Sequence, residues 1–173
     1  MLLGGCGLQP LYAPSSSSKN QNPSGSQEFL SKIRINLIPD RKGQLLRNNL
    51  IALLTPKGQP KKPLYVLNVS LDETTQALGI LKDATFSRSQ MTYKATFQLL
   101  EFSTKKPVFA SSTFVVSNYN VITANEFATI ISAGDAQDRS LVLLAEQISR
   151  ELATYFFTKT EEKTLKSPQV KDS

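Results

Sequence analysis

Met91-Thr92-Tyr93-Lys94-Ala95-Thr96-Phe97-Gln98-Leu99 carries an apolar residue at every odd position and a polar one at every even position. Successive side chains of a strand point to opposite faces, so this run predicts a half-buried strand. Met91, Tyr93, Ala95, Phe97 and Leu99 form its covered side; Thr92, Lys94, Thr96 and Gln98 form a polar, open side. The strand spans 86–102. Before it, over 64–81, Tyr65, Leu67, Val69 and Leu71 alternate with Asn68, Ser70 and Asp72. The two arms have nearly equal length about Lys82-Asp83, which predicts one long, twisted antiparallel hairpin. Ser103-Thr104-Lys105-Lys106-Pro107 is a second turn, and a further strand over 108–118 contains Phe109, Phe114, Val115 and Val116.

Upstream of the hairpin, Ile33, Ile35 and Leu37 alternate with Arg34 and Asn36, again a half-buried strand, which Pro39 stops. Asp40 is placed to cap a helix running from Arg41 to about Leu54, with Leu46, Leu50, Leu53 and Leu54 on its inner face. The loop 55–63 is rich in breakers. Downstream, Phe127, Ile131, Gly134, Leu141, Ala145, Ile148, Leu152 and Tyr155 recur at helical intervals and predict a long helix with one apolar stripe. Thr123 or Asn125 is its expected cap, and Gly134-Asp135 a point where it bends. The fold class that follows is α+β: a two-layer sandwich with two helices on one face of a four-stranded, mainly antiparallel sheet, in the order β-α-β-β-β-α.

The segment 6–27, with Ser15-Ser16-Ser17-Ser18 and Asn22-Pro23-Ser24-Gly25-Ser26, lacks apolar periodicity and reads as a flexible tether. A coil of roughly 20 residues reaches roughly 25 Å on average. A single domain is expected over 28–158 and a polar, disordered tail over 159–173. The small-residue run Leu3-Gly4-Gly5 before Cys6, the only cysteine, reads as a lipobox, with 1–5 the remnant of a signal peptide. Cys6 is then the lipid attachment site.

The chain has 173 residues, a net charge of +6, no histidine and no tryptophan. Lack of histidine removes Ser–His and Cys–His catalysis and the commonest zinc ligand. The 8 glycines make no phosphate-binding loop. Asp72, Glu73, Asp83, Glu101, Asp135 and Asp138 form no recognisable catalytic pair. The reading is therefore not an enzyme, with no cofactor and no metal. The positive charge suits an anionic partner. Nucleic acid is set aside, because Tyr93 and Phe97 fall on the face the helices cover rather than on an exposed stacking platform.

Cys6-Gly7-Leu8-Gln9-Pro10-Leu11-Tyr12, Ile38-Pro39-Asp40-Arg41-Lys42-Gly43-Gln44-Leu45-Leu46-Arg47-Asn48, Ser117-Asn118-Tyr119-Asn120, Asp135-Ala136-Gln137-Asp138-Arg139 and Leu152-Ala153-Thr154-Tyr155-Phe156, in that order, resemble the lipopolysaccharide-assembly lipoprotein family LptE in its alphaproteobacterial form. The resemblance covers Cys6 to about Phe157. It implies an outer-membrane lipoprotein, anchored through its lipid and facing the periplasm. It would plug the large β-barrel LptD, assist its assembly and help deliver lipopolysaccharide to the surface. An auxiliary lipoprotein of a periplasmic lipid-transport system is the second reading. The topology also gathers Lys57, Lys61, Lys62, Lys105, Lys106, Lys159 and Lys163 at one end of the domain. There they form either a site for lipopolysaccharide phosphates and other anionic groups or a solvated rim. Arg88 and Lys94, on the hairpin, are further candidates for the anionic site.

Overall fold

The structure is a computed structural model that describes residues 25–80, 87–122 and 124–165. Its elements are α1 (Gly25–Leu30), β1 (Ile33–Ile35), α2 (Asp40–Leu54), β2 (Tyr65–Ile80), β3 (Ser87–Glu101), β4 (Pro107–Val121) and α3 (Glu126–Leu165). The strands form one sheet in the order β1-β2-β3-β4. β1 lies parallel to β2, through the α2 crossover, and the other two pairs are antiparallel. This is the expected α+β sandwich, with α1 as an unexpected helix that straddles the expected boundary at 27/28 between tether and domain.

The period-two pattern fixes the register. β2 and β3 pair from Tyr65 opposite Glu101 to Ala77 opposite Ser89, and an irregularity follows before Ile80 meets Ser87. The Lys82-Asp83 turn lies outside the described residues, as do Thr123 and Cys6. Tyr93, Ala95, Phe97 and Leu99 are essentially inaccessible beneath the helices. Asn125 caps α3, its side-chain oxygen accepting from Ala128 N–H at 3.0 Å.

Several local expectations change. Leu37 is 75% exposed and Ile38 is buried in its place. β1 ends at Ile35, so alternation no longer dictates which side chain turns inward. Asp40 makes no capping bond and has φ +65°, while Gln44 Nε2 donates to the Ile38 carbonyl at 2.5 Å. Leu53 points out, leaving Leu46, Leu50 and Leu54 as the inner face of α2. α3 runs unbroken through Gly134-Asp135 and continues to Leu165, past residue 158 where the domain was expected to end.

The stripe on α3 is buried only from Ala136 onward, through Leu141, Leu144, Ala145, Ile148, Leu152 and Phe156. Phe127, Ile130 and Ile131 are exposed because α2, with 15 residues, is too short to flank the first turns of a 40-residue partner. α2 begins beside Leu71–Glu73, halfway along the hairpin, where Lys42 pairs with Glu73. Asp40-Arg41 therefore sits over the middle of the sheet.

Gly43 matters for packing. A Cβ there would lie 2.7 Å from Ile38 Cγ2 and 3.0 Å from the Ile38 carbonyl oxygen. Around Gly134 a Cβ would meet nothing within 4 Å. In urea unfolding, Gly43→Ala is expected to lower stability by about 1–3 kcal/mol through overpacking. Gly134→Ala is expected to raise it by up to about 1 kcal/mol through helix propensity. Equal effects of the two substitutions would contradict this packing.

Candidate functional site: a basic end and an open sheet face

The start of β1, the α2–β2 loop, the β3–β4 turn and the end of α3 meet at one end of the sandwich. Backbone bonds tie them together: Leu64 N–H donates to Lys32 O at 3.0 Å and Phe102 N–H to Leu64 O at 2.8 Å. Gln59 Nε2 donates to Ile35 O at 3.3 Å, pinning the α2–β2 loop across β1. Lys57, Lys61 and Lys62 stand on that loop, next to Gly58 with φ +96°. In the β3–β4 turn, Glu101 N–H donates to Lys106 O at 3.0 Å and Lys105 N–H donates to Glu101 O at 2.9 Å. The Thr104 hydroxyl donates to the Glu101 carboxylate at 2.7 Å. This knot holds Lys105 at φ +57°, with its ammonium 4.1 Å from the centre of the Phe102 ring.

The five lysines on these two turns are brought together, all exposed, and none forms an ion pair with another described residue. Lys159 joins them from α3. Its ammonium is 3.4 Å from both the Tyr65 and Tyr155 hydroxyls and lies over both rings. Burial lowers its pKa, but the two tyrosine hydroxyls outweigh that and hold it above the ordinary lysine value. The side chain of Lys163 lies outside the described ones.

Aromatic packing joins α1, β2, β4 and α3 at this end. Phe156 stacks on Phe29 of α1 at 5.5 Å and contacts Tyr65 at 5.1 Å and Tyr155 at 5.2 Å. Tyr155 in turn stacks on Phe109 at 4.9 Å. A shallow cleft lined by Phe29, Tyr65, Phe156, Lys159 and Thr160 opens beside Lys159. Sequence reasoning placed Lys159 here but not its tyrosine partners. Tyr65 is 94 residues away along the chain, and only the three-dimensional fold joins the two.

Arg88 and Lys94 do not belong to the basic end. Lys94 sits on the open sheet face, in register with Asp72 of β2 and Phe114 of β4. Arg88 is in register with Asn120, at the opposite end of the strands. The open face is polar over Thr92, Lys94, Thr96 and Gln98, as expected. It also carries Phe114, 62% exposed, and Val116, 45% exposed, on β4. Among the described residues no cluster of acidic, cysteine or histidine side chains suits a metal. No helix there is long and apolar enough to cross a membrane.

The Tyr93 side chain lies inside the sandwich. The Tyr93 hydroxyl is 3.5 Å from Gln137 Oε1, and burial pushes its pKa well above the ordinary phenol range, helped by the negative charges of Glu73 and Asp138.

No family model matches the chain, and no curated protein matches it. Solved structures do. A candidate lipoprotein of Caulobacter crescentus is 24% identical, with a TM-score of 0.60 over 78% of this chain and 97% of that one. The rare lipoprotein B of Shewanella oneidensis is 10% identical, with a TM-score of 0.58 over 74% of this chain and 98% of that one. A minor lipoprotein of Acinetobacter baumannii is 19% identical, with a TM-score of 0.54 over 72% and 92%. At such identities the likeness is one of fold: this chain has the architecture that these bacterial lipoproteins have.

Tyr93 supplies a pH test. The folded state keeps a phenolic proton that the unfolded chain releases near pH ~10, so stability falls as pH rises through that region. Urea midpoints measured at about pH 8 and about pH 10.5 should fall further for the wild type than for Tyr93→Phe. An identical drop in both proteins would show that Tyr93 ionises normally.

Proposed function

We propose that this chain is an outer-membrane lipoprotein, lipid-anchored at Cys6, that plugs the LptD β-barrel. In that role it assists the barrel's assembly and helps deliver lipopolysaccharide to the cell surface. One observation carries the reading: a chain whose only cysteine follows Leu3-Gly4-Gly5 has the fold of three bacterial lipoproteins, rare lipoprotein B among them. The resemblance of its short motifs to the LptE family points the same way.

The physical form suits the role. A plug inside an outer-membrane barrel meets a polar, hydrated wall. The uncovered sheet face, with Thr92, Lys94, Thr96 and Gln98, offers hydrogen-bonding side chains on a rigid support. The basic end offers Lys57, Lys61, Lys62, Lys105 and Lys106, charges that no described carboxylate neutralises by an ion pair. Lysines act on phosphate as point charges, and several on two adjoining turns suit a flexible, multiply phosphorylated headgroup. Arg88 and Lys94 are too far along the strands to share one headgroup with them. Lys94 belongs to the wall-facing surface instead, and Arg88 lies at the far end of the sheet.

The second reading, an auxiliary lipoprotein of a periplasmic lipid-transport system, has the same architecture but no barrel partner. Affinity purification from detergent-solubilised outer membranes separates the two. The full-length protein should bring down a single large β-barrel together with lipopolysaccharide. A variant with Lys61, Lys62, Lys105 and Lys106 changed to Gln should retain the barrel but carry lipopolysaccharide with an affinity reduced on the order of tenfold. Recovery without any barrel would overturn the plug reading; unchanged lipopolysaccharide would overturn the role of the basic end.

A further inference from the structure

β4 is the outer strand of the sheet, 15 residues long, and its far side is unpaired among the described residues. Long exposed edges template the addition of further strands, so proteins blunt them with charges, prolines, bulges or short length. The other edge of this sheet is protected in that way. β1 has three residues, and the part of β2 beyond it carries Asp72 and Glu73. β4 has no such defence. Charged residues make up 20% of the chain, which would put about three in 15 residues, yet Pro107–Val121 contains none. Its one proline is its first residue, and its one irregularity is at that same end, where Leu100 meets Pro107.

The middle of this edge is apolar on the open face and is flanked by an exposed leucine of α3 on the other. On the open face, Phe114 and Val116 are 62% and 45% exposed. On the helix face, Thr113 Oγ1 donates to Gln147 Oε1 at 2.7 Å, which places α3 directly along β4. One turn before Gln147, Leu143 stands 48% exposed on that flank of α3.

We propose that the outer edge of β4 is a strand-addition site for an extended, uncharged segment of another polypeptide, with apolar residues facing both layers. Main-chain hydrogen bonds would supply the affinity; Phe114 and Val116 below and Leu143 above would select the side chains. The position of α3 decides against a second copy of this chain as the occupant. Paired strands lie about 4.8 Å apart. Each copy would bring its own α3 along its own β4, whereas packed helices need about 8–10 Å. The site therefore takes a strand that has no covering helix of its own, and α3 becomes the cover.

The test uses two short end-blocked peptides, one of Val-Val-Thr-Thr repeats, which puts Val on both faces of a strand, and one with Lys replacing Val, added to the full-length protein. Hydrogen exchange should show the Thr/Val peptide slowing amides of β4 and of no other strand. The lysine peptide should bind about tenfold more weakly or less. F114K/V116K, and independently S112K, should lose Thr/Val peptide binding while keeping the wild-type thermal transition. Equal binding of the two peptides, protection away from β4, or undiminished binding by both variants would overturn the proposal. So would a peptide-free dimer whose β4 amides are already protected.

Discussion

The fold depends on one shared core: the inward row Tyr93, Ala95, Phe97 and Leu99 of β3 in a single buried cluster with Leu46 and Leu50 of α2 and Leu141, Leu144, Ala145, Ile148 and Leu152 of α3. These side chains are essentially inaccessible, and burying one of the large ones contributes about 1.5–3 kcal/mol. β3 is central, with paired neighbours on both sides, so its register transmits this packing to the whole sheet. A slip by one residue would turn Lys94 and Thr96 into the core and expose Tyr93 and Phe97. Sheet position and helix position are thereby set together.

Periodicity made this core legible in the sequence. Alternation over Met91–Leu99 has one solution, and the matching arm about Tyr65–Leu71 left little doubt about its pairing. What periodicity cannot encode is length mismatch between partners. Phe127 and Ile131 continue the helical stripe of α3 and are nonetheless exposed, because α2 stops short of them. Leu37 and Ile38 were exchanged for a similar reason: the strand ends at Ile35, and the turn through Pro39-Asp40 sends Ile38 under Gly43. α1 escaped notice because its anchor, Phe29 on Phe156, is a contact between residues far apart in the chain. The candidate site was readable in part. Loop composition and topology brought Lys57, Lys61, Lys62, Lys105 and Lys106 to one end, but the pairing of Lys159 with Tyr65 and Tyr155 is a tertiary fact.

One-sided covering leaves the molecule with surfaces of different character. The helices hide one face of the sheet, so the other face must either be polar or be met by a partner. Here it is mostly polar, with an apolar island at Phe114 and Val116 beside an uncharged edge. The lysine-bearing turns lie at the end of the sandwich where the described chain begins, with α1 docked on Phe156. In the proposed role the open sheet face meets the barrel wall and the lysine-bearing turns meet anions.

In the proposed role the uncovered sheet face, and not the helical layer, recognises the β-barrel. Site-specific photocrosslinking in cells tests it directly. A photoreactive residue at Thr96, on the open face, is compared with one at Val142, exposed on α3. A single large crosslinked barrel is expected from Thr96 and little or none from Val142. Crosslinks to the barrel from Val142 alone would contradict it.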